Sequence, residues 1–575
     1  MTVTSNNLKD NAKLLGEVFT EAIKMDLENN DHKKILETLK KKFDPEKLKP
    51  LLTGQVSIKN AVNQYLTGDG LQDIIEDKTG IYKHREWRGP MDTAYDYYKW
   101  LELWGILGKW LLKHPVTNIT ALLRYRWMAT YLTTPSFFDH NVPGFKGTML
   151  RASRMNLNTI AKLLTTNLET IFSADENIHP INENAQKYIC IDVYMPEIIA
   201  AGFAEHKSVL VHMAPHYLPS IINHHSPEHY LDVTESYGVP ADVCGLPSME
   251  SGVAIDDDFP KMGCCYIATN MPCDGSIMAS TILDRRFQMP TYVLNTPLRH
   301  TREDVQEYAV SELKECIKFM EKHTGETYDF ELLRETCERW NDQNELRLEK
   351  WEMNATDTPP HYGASNWMYR TFTYHNACGN PVAIKNDRKV NKMMRKSLGK
   401  VRKYPKAPRH RALVWNTIAN MYSALDEWLL NCWGIECVFQ FIEDQGHRPI
   451  DTSTVDTMLA GVAKLIQEAS MRVHSKGGYH AFSDDIWVFM ERYNCDMLVM
   501  YEQISCKGPG AIAGLIEEEA RRRGIKMVWL KQDLVDARTI SRRDMRDQIN
   551  KYMEAVMNEK PLDPTLVDFD DSASW

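Results

Sequence analysis

Two stretches of the chain put a cysteine in the same kind of place. Residues 263–297 read GCCYIATN, MPCDG, SIMASTILDRRFQ, MPTYVLNTP, and residues 496–533 read DMLVMYEQ, ISCKG, PGAIAGLIEEEARRRG, IKMVWLKQD. Each is a short apolar run, a turn with cysteine and glycine, an amphipathic segment and a second apolar run. The turns are Cys273-Asp274-Gly275 and Cys506-Lys507-Gly508. That order predicts strand, turn, helix, strand, a βαβ unit with parallel strands. Cys273 and Cys506 are then expected at the carboxyl ends of strands, beside helix amino termini, where open α/β sheets bind ligands. Free backbone N–H groups and the helix dipole at such a place favour a thiolate and lower a thiol's pKa. Cys244, in YGVPADVCGLPSMESG, precedes a glycine at a third predicted turn. No CxxC hairpin is present, which excludes zinc-finger and ferredoxin-type ligand sets. A site built from these three thiols forms only across a cleft between two lobes.

The other cysteines are placed differently. Cys264 and Cys265 fall in a predicted strand, where neighbours point to opposite faces. Cys316 and Cys337 lie in a charged helical stretch, and Cys432, Cys437 and Cys495 in or beside apolar runs. Cys190, before Ile191-Asp192, and Cys378, in NACGNP, are candidates for the neighbourhood of the site.

The elements that must position these residues are legible from periodicity. KSVLVHMAP, GCCYIATN, PTYVLNTP, HRALVWN, CVFQFIE, DMLVMYEQ and KMVWLKQD read as strands, each short, apolar and bounded by Gly, Pro or polar residues. They alternate with amphipathic segments from about Lys187 onward, the pattern of an α/β fold of two doubly wound, parallel-sheet lobes. Residues 1–175 read as an N-terminal helical region, 176–352 as a first α/β lobe carrying Cys244 and Cys273, and 353–575 as a second carrying Cys506. The aromatic-rich stretch from Tyr95 to Tyr131 suits an internal helical core or a partner-facing surface. The basic stretch 386–411 reads as a solvated helix and connector, or as a patch for an anionic ligand such as a nucleotide or coenzyme A.

Composition bounds the function classes. The 575 residues are 43% hydrophobic and 25% charged, with net charge −10, so a general nucleic-acid binder is not expected. Twelve cysteines are too sparse for a disulfide scaffold. No uncharged apolar run reaches the roughly 18 residues that a membrane span needs. The first residues lack a basic segment followed by an apolar core, so a cytoplasmic location is expected.

Together these motifs resemble a known family. DMLVMYEQISCKGPGAIAGLIEEEARRRGIKMVWLKQDL, followed by RRDMRDQINKYMEAVM, resembles the closing strand–Cys–helix–strand and last helix of a subunit of the 2-hydroxyacyl-CoA dehydratases. Their superfamily also holds the ATP-dependent benzoyl-CoA reductases. MPEIIAAG (195–202) resembles the family's early Pro-Glu motif, VCGLP its first cluster-cysteine region and NMPCDGS its second. The resemblance covers roughly residues 185–560. Two features depart from it: the amino-terminal helical region is longer than the family's, and Gln548 stands where a basic residue is expected.

The resemblance implies a [4Fe–4S] cluster held by Cys244, Cys273 and Cys506, with the fourth iron open to substrate. It implies removal of water from an (R)-2-hydroxyacyl-CoA to give a 2-enoyl-CoA. A single low-potential electron makes the thioester a ketyl radical anion, which expels the 2-hydroxyl, loses an acidified C3 proton and returns the electron. A second homologous subunit and an ATP-dependent iron–sulfur activator are the implied partners. The acid–base candidates are Glu197, at the Pro-Glu position, and His212 and His216, after the KSVLVHMAP strand. Ser505 is a candidate donor to a cluster sulfide. Asp274 suits a helix cap, and Glu502 and Gln503, at the end of the strand before Cys506, are candidates to face the site. Two other roles stand beside dehydration: reduction of an aromatic or unsaturated acyl-CoA, and a structural subunit without turnover of its own.

Overall fold

In the computed structural model the described residues are Thr20 and, within 90–568, the segments 90–125, 127, 147–173, 185–192, 195–210, 215–216, 219–220, 226–270, 273–295, 297, 302–360, 364–400, 408–416, 418–440, 447–469, 473–474 and 478–568. His212 lies outside them.

Among the described residues, eight strands form two four-stranded parallel sheets. The first holds β1 (Tyr188–Ile191), β2 (Lys207–Leu210), β3 (Cys265–Thr269) and β4 (Thr291–Leu294), in the order β2-β1-β3-β4. The second holds β5 (His410–Trp415), β6 (Ile435–Gln440), β7 (Met497–Gln503) and β8 (Lys526–Gln532), in the order β6-β5-β7-β8. The orders match, so each lobe has its switch point between its first and third strands, the crevice where such sheets take ligands. The inner strands β1 and β3 are buried along their whole length, as apolar runs covered on both faces should be. The edge strand β8 alternates in burial and turns one face to solvent.

Fourteen longer helices of the described residues accompany the sheets. They are α1 (Pro90–Lys113), α2 (Pro115–Arg124), α3 (Gly147–Ser173), α4 (Glu228–Ser236), α5 (Gly245–Ile255), α6 (Asp274–Phe287), α7 (Glu303–Thr324), α8 (Phe330–Asn354), α9 (Ala364–Asn376), α10 (Pro381–Arg395), α11 (Val455–Gln467), α12 (Tyr479–Arg492), α13 (Lys507–Arg522) and α14 (Arg542–Ala555). Local sequence sets several of their starts. Thr454 with Thr457, and Ser541 with Asp544, form capping boxes that satisfy the first free N–H groups of α11 and α14. Both predicted βαβ units are present, as β3-α6-β4 and β7-α13-β8.

The main apolar core joins both sheets, and a second cluster around Trp351, Trp415, Phe439 and Trp487 lies against the second sheet. The helix α3 packs on α9 and α10, and the Asn386 amide donates to Asn156 Oδ1 at 3.0 Å, so α3 is tied to the body of the fold. Gln548, the residue out of pattern, has a structural use here. Its amide accepts the Lys531 N–H at 3.0 Å and donates to the Lys531 carbonyl at 3.1 Å, clipping α14 to the open edge of β8. In the basic stretch, Arg395 pairs with Glu349 and Arg388 with Asp342, so part of that charge is spent on α8. No helix among the described residues is long and apolar enough to cross a membrane.

Candidate functional site: three cysteines at helix starts

Each of the three turn cysteines is the residue immediately before a helix: Cys244 before α5, Cys273 before α6 and Cys506 before α13. Cys273 follows β3 and Cys506 follows β7, both third strands beside a switch point. The structure brings them within electrostatic reach of one another across the lobes. Burial pushes the Cys244 thiol well above the ordinary range, and Cys506 and Cys273 push it further. Burial and then Cys273 raise Cys506 to about 11. Backbone N–H groups of Leu246 and Gly508 pull Cys244 and Cys506 down, as helix starts should, but by less. The expectation of a lowered thiol pKa is therefore corrected for Cys506, and Cys244 is raised as well. Loss of hydration and repulsion between neighbouring thiolates outweigh the helix starts.

The seam between the lobes runs through this place. A Cβ on Gly245 would come within 2.5 Å of Val535 Cγ2 and 3.4 Å of Asp533 Oδ1, so the start of α5 touches the second lobe and only glycine fits. A Cβ on Gly275 would lie 3.1 Å from Pro247 Cγ and 3.5 Å from Cys273 Sγ, which sets α6 against α5. Polar contacts pin the seam around them. Lys507 pairs with Asp242, and Arg538 reaches Asp232 at 2.6 Å and Glu235 at 2.7 Å. The Ser226 hydroxyl donates to the Val535 carbonyl at 2.7 Å.

Asp533, at the carboxyl end of β8, is a site residue that motif reading passed over. Its Oδ2 accepts the Ser505 hydroxyl at 2.9 Å, and its Oδ1 accepts the N–H groups of Val535 and Asp536. Its charge also raises Cys244 and Cys506. Ser505 thus donates to Asp533 and accepts from the Gln503 amide at 3.1 Å. Glu502 takes the Trp529 indole N–H. Asp274 is the first residue of α6.

Glu197 sits in a short 3-10 turn after β1. Its Oε2 accepts the Cys378 N–H at 3.2 Å, and burial, opposed by that bond and by Lys207, raises its carboxyl to about 7. Its hydrogen bond is to Cys378, not to a turn cysteine. His216 is fully buried, neither ring nitrogen has a hydrogen bond to a described residue, and burial lowers it to about 3, so its imidazole is neutral. Further buried acids went unread in the sequence. Glu250, on α5, is pushed well up by burial and by Asp192. In the second lobe, burial raises Asp426 to about 6, and Tyr501 donates to it at 2.9 Å. Glu427 beside it is pushed well up by burial and by Asp426. The signal that marks them in sequence is an acid inside or next to an apolar segment after a strand.

The remaining thiols are structural in their contacts. Cys264 lies just before β3 rather than in it, and its sulfur stands 3.9 Å from that of Cys265. The opposite-face expectation is corrected by that register: alternation holds only within the extended strand. Cys190 donates to the Met262 carbonyl, and Cys316 and Cys337 are fully buried. Among the described residues, no three His, Cys, Asp or Glu side chains converge closely enough to hold one metal ion.

A family model, the 2-hydroxyglutaryl-CoA dehydratase D-component, matches residues 193–556, more than half of the chain. The chain belongs to this dehydratase family. The D-component match takes in all three turn cysteines, Glu197, Ser505 and Asp533, and it leaves α1 to α3 and β1 outside. Membership makes the chain a dehydratase-type subunit. No curated protein matches it.

Proposed function

We propose that the chain is a subunit of an iron–sulfur 2-hydroxyacyl-CoA dehydratase, with Cys244, Cys273 and Cys506 holding a [4Fe–4S] cluster. The observation that carries the reading is the closeness of three thiols at three helix starts, where Cys273 and Cys506 repel charge on Cys244, and Cys273 repels it on Cys506. As free thiolates they destabilise one another, and a cationic iron centre would turn that repulsion into attraction. The donor set fits a cluster better than a single ion. Cluster thiolates each bind a different iron, so they need not converge on one point. The N–H groups of Leu246 and Gly508 suit anionic sulfur. When bound, such a cluster supplies an open iron for a substrate oxygen and a route for one electron.

The overall change is loss of water from C2 and C3 of the acyl group, with no net oxidation. A hydroxyl must leave with a proton and C3 must give one up. With a carboxyl near 7, Glu197 exists in both forms at neutral pH, as a group that donates and accepts in one cycle requires. Ser505 holds the turn before Cys506 through Asp533. A second homologous subunit, an ATP-dependent iron–sulfur activator and an anaerobic cytoplasm complete the reading. The test is anaerobic reconstitution followed by iron and sulfide analysis. The expected content is about four of each per chain, reduced by Cys→Ser at 244, 273 or 506 and unchanged by Cys→Ser at 316 or 337. Iron-free protein after reconstitution would overturn the proposal.

A further inference from the structure

Away from the cysteines, a cavity of about 270 Å³ opens between α8, α11 and the segment 447–451. It shares no lining residue with the cysteine site. One face of α11 supplies Thr457, Ala460, Gly461, Lys464, Leu465 and Glu468, at helical spacing. The opposite wall is fixed in place by two asparagines of α8. Asn341 accepts the Ile450 N–H at 2.8 Å and donates to the Ile450 carbonyl at 2.9 Å. Asn344 accepts the His447 N–H at 3.1 Å and donates to the His447 carbonyl at 2.5 Å. Trp340, with the Arg347 guanidinium over its ring at 5.1 Å, forms the apolar floor.

The charges that line this space are not equally engaged. Asp451 accepts the Ser453 N–H at 2.9 Å and the Thr457 hydroxyl bonds its carbonyl, so its carboxylate serves the turn that starts α11. Glu468 is engaged as well. The side chains of Lys464 and Arg448 make no hydrogen bond or ion pair with any described residue, and the neutral His447 ring lines the same space. A rigid wall, small residues at the centre and two uncommitted cations at one concavity are the chemistry of an anion site.

We infer that this cavity binds a phosphate group through Lys464 and Arg448. The group has two chemical sources, a free phosphorylated metabolite or the nucleotide end of a coenzyme A thioester. The inference does not depend on the cluster, and iron content reports separately on that reading. The test is calorimetric titration of the full chain at low salt with inorganic pyrophosphate and, separately, with coenzyme A. Saturable binding of pyrophosphate, one per chain, is expected, weakened about tenfold or more by Lys464→Met, which keeps the apolar stem and removes the charge. Ala460→Leu, which fills the cavity without altering charge, is expected to weaken it as well. Lys314→Met, which removes the pair with Asp456 on the outside of α11, should leave binding intact. If coenzyme A binding also falls in Lys464→Met, the phosphate belongs to the thioester; if it does not, to a free metabolite. Absence of pyrophosphate binding by the wild-type chain, or binding by Lys464→Met and Ala460→Leu as tight as that of wild type, overturns the inference.

Discussion

Replacing Glu197 by glutamine separates a buried acid's charge from its shape. Burial holds this carboxyl at about 7 in the folded chain against an ordinary 4.5. The sign follows from which state binds the proton more tightly. A carboxyl whose folded pKa is raised opposes folding when it ionises. The penalty is absent below 4.5, grows as pH rises from 4.5 to about 7, and is constant above that. At about 1.4 kcal/mol per pH unit that interval corresponds to about 3 kcal/mol. Glutamine keeps an oxygen for the Cys378 N–H and never ionises. Glu197→Gln should therefore be more stable than wild type by about 3 kcal/mol at pH 8 and nearly equal to it at pH 4.5. Urea denaturation of both proteins at a series of pH values measures this directly, since other buried acids cancel in the difference. Parallel curves for the two proteins would refute the argument, because they would mean that Glu197 titrates as an exposed carboxylate.

Three more outcomes follow from the geometry. His410 is raised from 6.5, first by its hydrogen bond to Asp496 and then by one to Glu559, against partial burial. Its contribution to stability should be full below 6.5 and lost as pH rises through the raised value, and His410→Gln should flatten that loss in a pH series of denaturation curves. Gly252 lets α5 approach α4 so closely that a Cβ would lie 2.1 Å from the Tyr230 carbonyl oxygen. Gly252→Ala should cost about 3 kcal/mol by denaturation and lower cluster loading, because α5 carries Cys244. Arg538→Ala removes contacts to Asp232 and Glu235 across the lobes and to Asp536. With the side chain about one-third exposed, a loss of only about 1 kcal/mol is expected, read by thermal denaturation at low and high salt.

The βαβ units were readable because a strand run, a Cys-Gly turn and an amphipathic helix each leave a local mark, twice over. β1 went unread. Tyr188–Ile191 is only four residues, all buried, and a four-residue apolar run carries no period by which to tell strand from helix. The positions of Cys244, Cys273 and Cys506 before helices were legible for the same local reason. The thiol acidity of Cys244 and Cys506 was not, because it depends on how much water the closed seam removes and on which charges face each other, and both are properties of the assembled lobes. Asp533 and the Asp192–Glu250 pair were hidden likewise. A carboxylate after a strand looks exposed until the chain folds a second lobe or a helix over it. Gln548 looked like a defect in a family pattern, and only the register of α14 on β8 reveals what it bonds.

The measurement that bears most directly on the proposed centre is an anomalous-scattering map at the iron edge, from crystals of the chain reconstituted with iron and sulfide under anaerobic conditions. One compact iron peak bonded to Sγ of Cys244, Cys273 and Cys506, with no fourth protein thiolate, is the result expected. Iron bound instead among Cys190, Cys264, Cys265 and Cys316, or three turn thiols without iron while the protein is otherwise folded, would contradict it.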